Sequence, residues 1–176
     1  MNKSGADRWL IGIVTGVILL ILIALVTVLN REEPTYVDDV APDGVVHNYL
    51  LALQQEAYAR AYSYLSPTLP NYPVNAEAFY DHVRDQQIDF RNGGRRATAV
   101  RDVDYFGDNR ATVRVEETTF YSGGLFGGDQ STSSFHVELA RIEGDWKLID
   151  GDSYWYWHPC WSSAEIECPL PLGDQP

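Results

Sequence analysis

The chain has 176 residues, which is enough for one domain and a membrane anchor. Hydrophobic residues make up 45% and aromatic residues 12%, so a chain that is disordered throughout is excluded. Almost all of the formal net charge of −12 lies after Leu29, where Lys147 is the only lysine. Nucleic acid is therefore excluded as a partner, because its phosphates need a basic surface.

An uncharged segment runs from Trp9 to Leu29. As a helix it would be about 31 Å long, which matches a hydrocarbon core about 30 Å thick. Lys3 and Arg8 precede it, so the positive-inside rule places residues 1–8 in the cytoplasm and the rest of the chain outside. We expect a single-pass protein of the cell membrane, with lipid around residues 9–29.

A cleaved signal peptide is the alternative to this anchor. Its apolar region would be about 7–15 residues long and would end at a small-x-small site, which this segment matches poorly. Gly12 and Gly16 form a GxxxG pair that would let two membrane helices approach closely. Chance is the competing explanation for the pair, because glycine is frequent in membrane helices.

Residues 30–41 are acidic and contain proline, and they predict an extended spacer before a domain at residues 42–157. Apolar residues then recur at helical spacing from Val46 to Leu65, with a break at residues 54–56. Pro42 opens this region, and we expect Asp43 or a neighbour to cap it.

The second half of the domain changes from helical to alternating spacing. Asn75 is expected to cap a short third helix through Phe79 and Val83. Four strands follow, at residues 97–106, 110–121, 131–142 and 146–154, and a tail occupies residues 158–176. The pattern predicts an α+β fold in which helices pack on one face of an antiparallel sheet of about four strands.

Three segments carry a resemblance to a known fold: residues 41–53, 57–67 and the closing hairpin at 143–151. They resemble the nuclear-transport-factor-2-like superfamily, a cystatin-like cone of helices against a curved sheet. The resemblance covers roughly residues 42–154. It implies a bacterial, membrane-anchored, extracytoplasmic type of unassigned activity. Some soluble relatives are isomerases or dehydratases, and others only bind ligands, so the fold permits an enzyme without implying one.

Cys160 and Cys168 are the only cysteines. Outside the cytoplasm an even pair favours a disulfide, which would hold the proline-rich tail. A metal site with His158 as a third ligand is the alternative, and three ligands are a poor match to zinc. We expect the disulfide, no metal and no cofactor.

Aromatic residues are concentrated around the start of the tail. Trp155, Trp157 and Trp161 are candidates for binding a ligand or partner, because aromatic residues are enriched at binding hot spots. The alternative is that the tail folds over them. Further binding candidates are Tyr58 and Tyr62 in the helical region and Leu125 and Phe126 in a glycine-rich loop. Leu125 and Phe126 would bind a partner, control access to the cone or pack into the domain interior.

Catalytic candidates are Asp81, His82 and His136. General acid–base chemistry needs a titrating group in an apolar pocket, whereas Asp81 and His82 have polar neighbours. His136 alternates with Phe135 and Val137, which places it on the opposite sheet face. Arg96 belongs to a local basic cluster that would hold a carboxylate or balance nearby acids.

We therefore expect a membrane-anchored extracytoplasmic binding module without catalytic activity. It would bind a protein, a second copy of the chain, a cell-envelope component or a small ligand through the cone mouth and the aromatic tail. One alternative is an isomerase or dehydratase that uses an Asp or His in the cone. The other is an accessory single-pass subunit of a membrane complex.

Overall fold

The computed structural model describes residues 4–29, 34–92, 95–121, 128–152, 156–166 and 168, with side chains at 9–27, 34–84, 96–121, 128–152, 156–166 and 168. The chain divides into two units, Met1–Thr35 and Tyr36–Pro176. Their boundary lies inside the predicted spacer. Tyr36 and Val37 nevertheless belong to the second unit.

The first unit contains one helix, α1 (Ser4–Leu29). Its segment Trp9–Thr27 has a mean hydropathy of 3.0, and its side chains are exposed. This helix is long and apolar enough to span a membrane. A Cβ added at Gly12 or Gly16 would meet nothing within 4 Å, and the role of these glycines in helix packing stays a prediction.

Three helices open the second unit: α2 (Pro42–Gln54), α3 (Tyr58–Ser63) and α4 (Ala76–Asn92). The predicted break at residues 54–56 is confirmed. Asp43 is not the cap of α2, because Pro42 takes the first helical position and Ala41 precedes it without a side-chain cap. Asn75 does cap α4, since its Oδ1 accepts a hydrogen bond from the amide of Ala78 at 2.8 Å.

The residues before α2 form a strap along this helix. Asn48 pairs with the backbone of Val37 in both directions, at 2.9 and 2.8 Å. The guanidinium of Arg60 lies 3.4 Å from the centre of the Tyr36 ring, which is cation–π distance. Gly44 is buried beneath the strap, where an added Cβ would overlap the backbone carbonyl of Asp38.

Replacing Gly44 with alanine is therefore expected to destabilise the domain by about 1–3 kcal/mol, as overpacking does. Denaturant unfolding followed by tryptophan fluorescence measures this change. Asp43→Ala, at the exposed neighbouring position, should change the stability by less than about 1 kcal/mol. Equal effects of the two substitutions would contradict the close packing of the strap.

Four antiparallel strands form one sheet in the order β1-β2-β3-β4: β1 (Arg95–Tyr105), β2 (Arg110–Tyr121), β3 (Asp129–Ile142) and β4 (Asp145–Gly151). The α+β architecture, with an apolar N-terminal helix and a curved antiparallel sheet, is as predicted. Register shifts interrupt the pairing between Val100 and Val103 and between Glu138 and Leu139. Such irregularities bend strands and raise the local twist.

The core lies between the helices and one face of the sheet, which we call the inner face. From the sheet it takes Val113, Val137 and Leu148, and from the helices Tyr49 and Phe79. The segment after β4 is part of the same core, since Tyr156, Trp157 and Trp161 are buried in it. Cys160 and Trp161, predicted to belong to a separate tail, are thus part of the domain interior.

Candidate functional site

The inner face of the sheet changes from apolar to polar along β2. Alternate residues of a strand share a face, so Val113 and Val115 point inward together with Glu117 and Thr119. All four are buried, and Glu117 is only 5% exposed. The apolar face therefore continues into a buried polar one.

Both neighbouring strands extend this polar region. On β1, Thr98 pairs with Glu117 and Arg96 with Thr119, and paired residues of an antiparallel ladder share a face. On β3, Ser133 pairs with Glu117 and Ser131 with Thr119. Both serines are exposed, so the inner face is open to solvent on this side. We call this set the inner polar site: Arg96, Thr98, Glu117, Thr119, Ser131 and Ser133.

A buried charge pair lies at the centre of the inner polar site. Nε of Arg96 is 4.0 Å from Oε1 of Glu117, and the two side chains are 6% and 7% exposed. The other carboxylate oxygen of Glu117, Oε2, is buried and forms no hydrogen bond of good geometry within the described residues, while the phenol of Tyr156 lies near enough to interact with the same carboxylate. A buried carboxylate that is poorly hydrogen-bonded costs free energy, so a further donor at Glu117 would be stabilising.

Tyr156 borders the inner polar site on the side of the core. Its ring stacks on Phe135 at 5.3 Å, and its carbonyl accepts a hydrogen bond from the hydroxyl of Tyr49 at 2.5 Å. Burial raises the pKa of Tyr156 above its usual value, and the negative charge of Glu117 and a hydrogen bond to its carboxylate raise it further. The phenol therefore stays protonated at neutral pH.

This arrangement suits a polar ligand group rather than an apolar one. Arg96 supplies donors, Glu117 supplies an acceptor, and the threonine and serine hydroxyls supply both. A ligand group that carries hydroxyls, amides or amines would match them. Gln54 already donates to the hydroxyl of Thr98 at 3.1 Å, which fixes one edge of the site.

Two of the predicted catalytic residues lie on α4, away from the inner polar site. Asp81 is half-buried and pairs with Arg84 one helical turn on, at 3.4 Å. His82 is buried, and its Nδ1 accepts a hydrogen bond from Nε1 of Trp161 at 3.2 Å. That bond gives His82 a packing role.

His136 lies on the outer face, with its side chain 52% exposed. Its Nδ1 is 3.3 Å from Oδ2 of Asp152, and its amide donates to Oδ1 of Asp152 at 2.6 Å. An open depression of about 450 Å³ adjoins it, with Glu138 and Asp150 among its lining residues. This depression and the inner polar site lie on opposite faces of the sheet.

The predicted aromatic binding residues that the structure describes pack against other parts of the domain. Tyr58 packs on Tyr80 with ring centres 4.8 Å apart, and Tyr62 donates to the carbonyl of Pro73 at 2.8 Å. Trp157 and Trp161 are 4% and 0% exposed, and their indoles pack edge to face against each other. Trp155, Leu125 and Phe126 lie outside the described residues, and their binding roles stay predictions.

Cys160 and Cys168 form the predicted disulfide. The side-chain amide of Asn71 holds the same loop, because it donates to the carbonyls of Cys160, Ser163 and Ile166 at 2.7–3.2 Å. Beneath the loop, burial and then the neighbouring His82 lower the pKa of His158, which is therefore neutral at pH 7.

Removing the disulfide with Cys160→Ser and Cys168→Ser together is expected to cost about 2.5 kcal/mol, the chain-entropy value for so short a loop. Thermal unfolding of the oxidised protein measures this loss. The metal-free wild type in reductant should unfold at the same temperature as the double variant. An unchanged unfolding temperature would show that Asn71 and the buried indoles hold the loop alone.

Sequence reasoning missed Glu117 and Tyr156 as site residues and treated Arg96 as part of a local basic cluster. A signal was present in β2, where the inward positions change from valine at 113 and 115 to Glu117 and Thr119. A charged residue at an inward position marks either a pair or a binding surface. Its partner on β1 depends on the register, which the sequence leaves open.

The fold and the inner polar site thus define an α+β protein of helices on a curved four-stranded sheet, with a membrane-length helix at its N-terminus. The chain is similar in structure to a ketosteroid isomerase-like protein from Erwinia carotovora atroseptica SCRI1043. The sequences are 13% identical and the TM-score is 0.40, with 60% of this chain and 86% of that chain covered.

It is also similar to a putative calcium/calmodulin dependent protein kinase II association domain from Xanthomonas campestris. In that comparison the identity is 13%, the TM-score 0.40, and the coverage 68% of this chain and 94% of the other. A third similar structure is the intermembrane space region of the chloroplast protein ARC6. Its sequence identity to this chain is 17% and the TM-score is 0.33, with 68% of this chain and 97% of that chain covered. No family model and no curated protein matches the chain. At these identities the likenesses assign neither a family nor an activity.

Proposed function

We propose that the chain is a single-pass membrane protein whose domain lies outside the cytoplasm and binds a polar ligand or partner through the inner polar site, without catalysing a reaction. One observation carries this proposal. The inner face is open at Ser131 and Ser133, and directly beside this opening the buried carboxylate of Glu117 lies 4.0 Å from Arg96, too far for a direct hydrogen bond.

The membrane location is supported by the apolar segment Trp9–Thr27 together with Lys3 and Arg8 on its N-terminal side. The disulfide between Cys160 and Cys168 supports an oxidising compartment for the domain. A bacterial, membrane-anchored cone domain remains the type that the sequence resemblance favours.

The absence of catalysis is supported by the roles of the three acid–base candidates. Asp81 is paired with Arg84, His82 with Trp161, and His136 with Asp152 on the outer face. An acid or base must reach a substrate proton, and these contacts direct the three side chains to helix pairing, core packing and strand pairing instead. The proposed binding needs no cofactor and no metal.

Photo-crosslinking from the inner face tests the binding role. A photoreactive phenylalanine analogue at Ser133 should form adducts in native membranes, since Ser133 is exposed beside Glu117. Mass spectrometry of the adduct then identifies the ligand class. The isosteric substitution Glu117→Gln should reduce the adduct yield, because it removes the charge of the proposed acceptor.

Ser134 supplies a matched control. It is the next residue on β3, it is equally exposed, and it points to the outer face. The same probe at Ser134 should give no adduct. Equal yields at the two positions, or a yield at Ser133 that Glu117→Gln leaves unchanged, would remove the inner polar site from the proposal.

Cysteine labelling tests the topology. Asp108 is exposed in the β1–β2 turn, so Asp108→Cys should react with a membrane-impermeant maleimide in intact cells. Ser4→Cys should react only after permeabilisation, because residues 1–8 are proposed to be cytoplasmic. The reverse labelling pattern would place the domain in the cytoplasm and remove the argument for a stable disulfide.

The isomerase or dehydratase alternative keeps one supporting observation. Glu117 lies close enough to Tyr156 to raise its pKa, so an enzyme in this fold would use Glu117 as its base and not Asp81, His82 or His136. Turnover of the crosslinked ligand class by the purified protein, lost in Glu117→Gln, would favour that alternative. The accessory-subunit alternative predicts instead that membrane partners co-purify in mild detergent and are lost when α1 is replaced by another apolar helix.

A further inference from the structure

The disulfide loop lies against a histidine from a distant part of the chain. His82 on α4 comes close to Cys160 and Cys168, and the possible ligand atoms of these three residues lie within 4.8 Å of one another. His158 is a second imidazole at the same place, with its ring centre 5.5 Å from that of His82. We call His82, His158, Cys160 and Cys168 the tail cluster.

The donor atoms of the tail cluster match zinc in type and number. Structural zinc is bound tetrahedrally by four cysteine or histidine ligands, at about 2.3 Å to sulfur and about 2.0 Å to nitrogen. Ligand atoms around one ion therefore lie roughly 3.5 Å apart. The spread of 4.8 Å or less among His82, Cys160 and Cys168 exceeds this by about an ångström, and the ring of His158 lies 5.5 Å from that of His82, so rotation of these side chains can bring the four groups around one ion.

We propose that, in its thiol form, the tail cluster is a zinc site that replaces the disulfide as the crosslink between Cys160 and Cys168 and, through His82, also links the tail to α4. This inference is independent of the proposed binding function. The thiol form exists before oxidation of the new chain, or after a small thiol reduces the disulfide. In the latter reaction two thiol molecules are oxidised to their own disulfide and two protein thiols form. Zinc then binds both sulfurs as thiolates and releases two protons.

Zinc ligation also changes a contact inside the core. Nδ1 of His82 accepts from the indole N–H of Trp161 at 3.2 Å. A ligating imidazole donates its one lone pair to the metal, so neither nitrogen of His82 can then accept that bond. Trp161 must lose this acceptor when zinc binds. Its fluorescence therefore reports on the site, alongside the metal.

Cobalt(II) substitution in the full-length protein, purified in detergent, tests the site. The protein is reduced by an immobilised phosphine, separated from it and titrated anaerobically with Co²⁺. We expect one equivalent to give a thiolate-to-cobalt charge-transfer band and the intense visible bands of tetrahedral cobalt. Zinc should displace the cobalt. The oxidised protein should show neither band.

Histidine variants distinguish zinc binding by the whole tail cluster from zinc binding by the two cysteines alone. His82→Gln and His158→Asn should each weaken zinc binding by roughly tenfold or more. His136→Asn on the outer face is the matched control and should leave zinc affinity unchanged. Circular dichroism of each reduced variant establishes that the domain is folded. His158→Asn is informative even if His82→Gln unfolds, because His158 is only half-buried.

Two results would overturn the proposal. One is a reduced, folded wild type that gives no charge-transfer band with cobalt. The other is a band of equal strength and affinity in the double variant His82→Gln, His158→Asn, since the metal would then be held by the cysteines without the tail cluster.

Discussion

Replacing Trp161 with alanine is expected to lower the free energy of unfolding of the domain by about 3–5 kcal/mol, the usual cost of removing a large buried aromatic side chain. Trp161 is 0% exposed, stacks on Phe79 at 5.5 Å and meets Trp157 edge to face at 5.3 Å. Its loss also leaves Nδ1 of His82 without the indole donor, which adds to the cavity cost. Denaturant unfolding monitored by near-ultraviolet circular dichroism measures the effect.

Two further variants show which part of this cost belongs to packing. Trp161→Phe keeps most of the ring and removes the indole N–H, so it should be less destabilising than Trp161→Ala. Phe106→Ala removes an aromatic ring that is 63% exposed, and it should change stability by less than about 0.5 kcal/mol. A small effect of Trp161→Ala would mean that the segment after β4 is not part of the cooperative core.

Replacing Glu117 with alanine is expected to cost about 3 kcal/mol. Removal of one partner of a buried pair strands the other charge and typically costs about 3–5 kcal/mol. The lower end applies because the Arg96–Glu117 separation of 4.0 Å is too long for a direct hydrogen bond. Thermal and denaturant unfolding of the oxidised protein measure the loss.

Glu116 provides the matched control on the opposite face. It forms an exposed pair with Arg101 at 2.7 Å, and such pairs contribute about 0–1 kcal/mol. Replacing both buried charges, with Arg96→Met and Glu117→Leu, should recover stability relative to Glu117→Ala, because no charge is then left unpaired. If Glu116→Ala and Glu117→Ala cost the same, the buried pair has no special role.

These two positions relate differently to function. Trp161 acts through packing, so its removal should lower both the stability of the domain and its ligand binding. Glu117 contributes a buried carboxylate on β2, and its ladder partner on β3 is the exposed Ser133. The variant that preserves its shape, Glu117→Gln, should therefore separate binding from stability, because the amide keeps the volume and loses the charge.

Much of the architecture follows from local pattern. Helical spacing ending before Pro67 predicts α2 and α3, and alternation with turn residues predicts four strands in a meander. Gly144 illustrates why such turns are predictable: its φ of +101° is a conformation that glycine adopts without strain. The uncharged segment from Trp9 likewise predicts a membrane-length helix from composition alone.

The candidate sites could not be predicted from local sequence pattern. The pairing of Arg96 with Glu117 depends on strand register and on the buried face of β2, and His82 approaches the disulfide only because α4 packs against Trp161. Both contacts join residues that are distant in the chain. Local propensity carries no information about such contacts.

The sequence by itself determined the order of elements, the apolar N-terminal helix, the acidic domain and the pairing of Cys160 with Cys168. Periodicity, charge and a single cysteine pair can be read from the chain without knowing which distant residues come into contact. Only the tertiary structure decided that Trp157 and Trp161 are buried, that His136 faces outward and that Glu117 lies beside an opening. These features depend on which surfaces meet when helices, sheet and tail exclude water together, and that choice belongs to the whole domain.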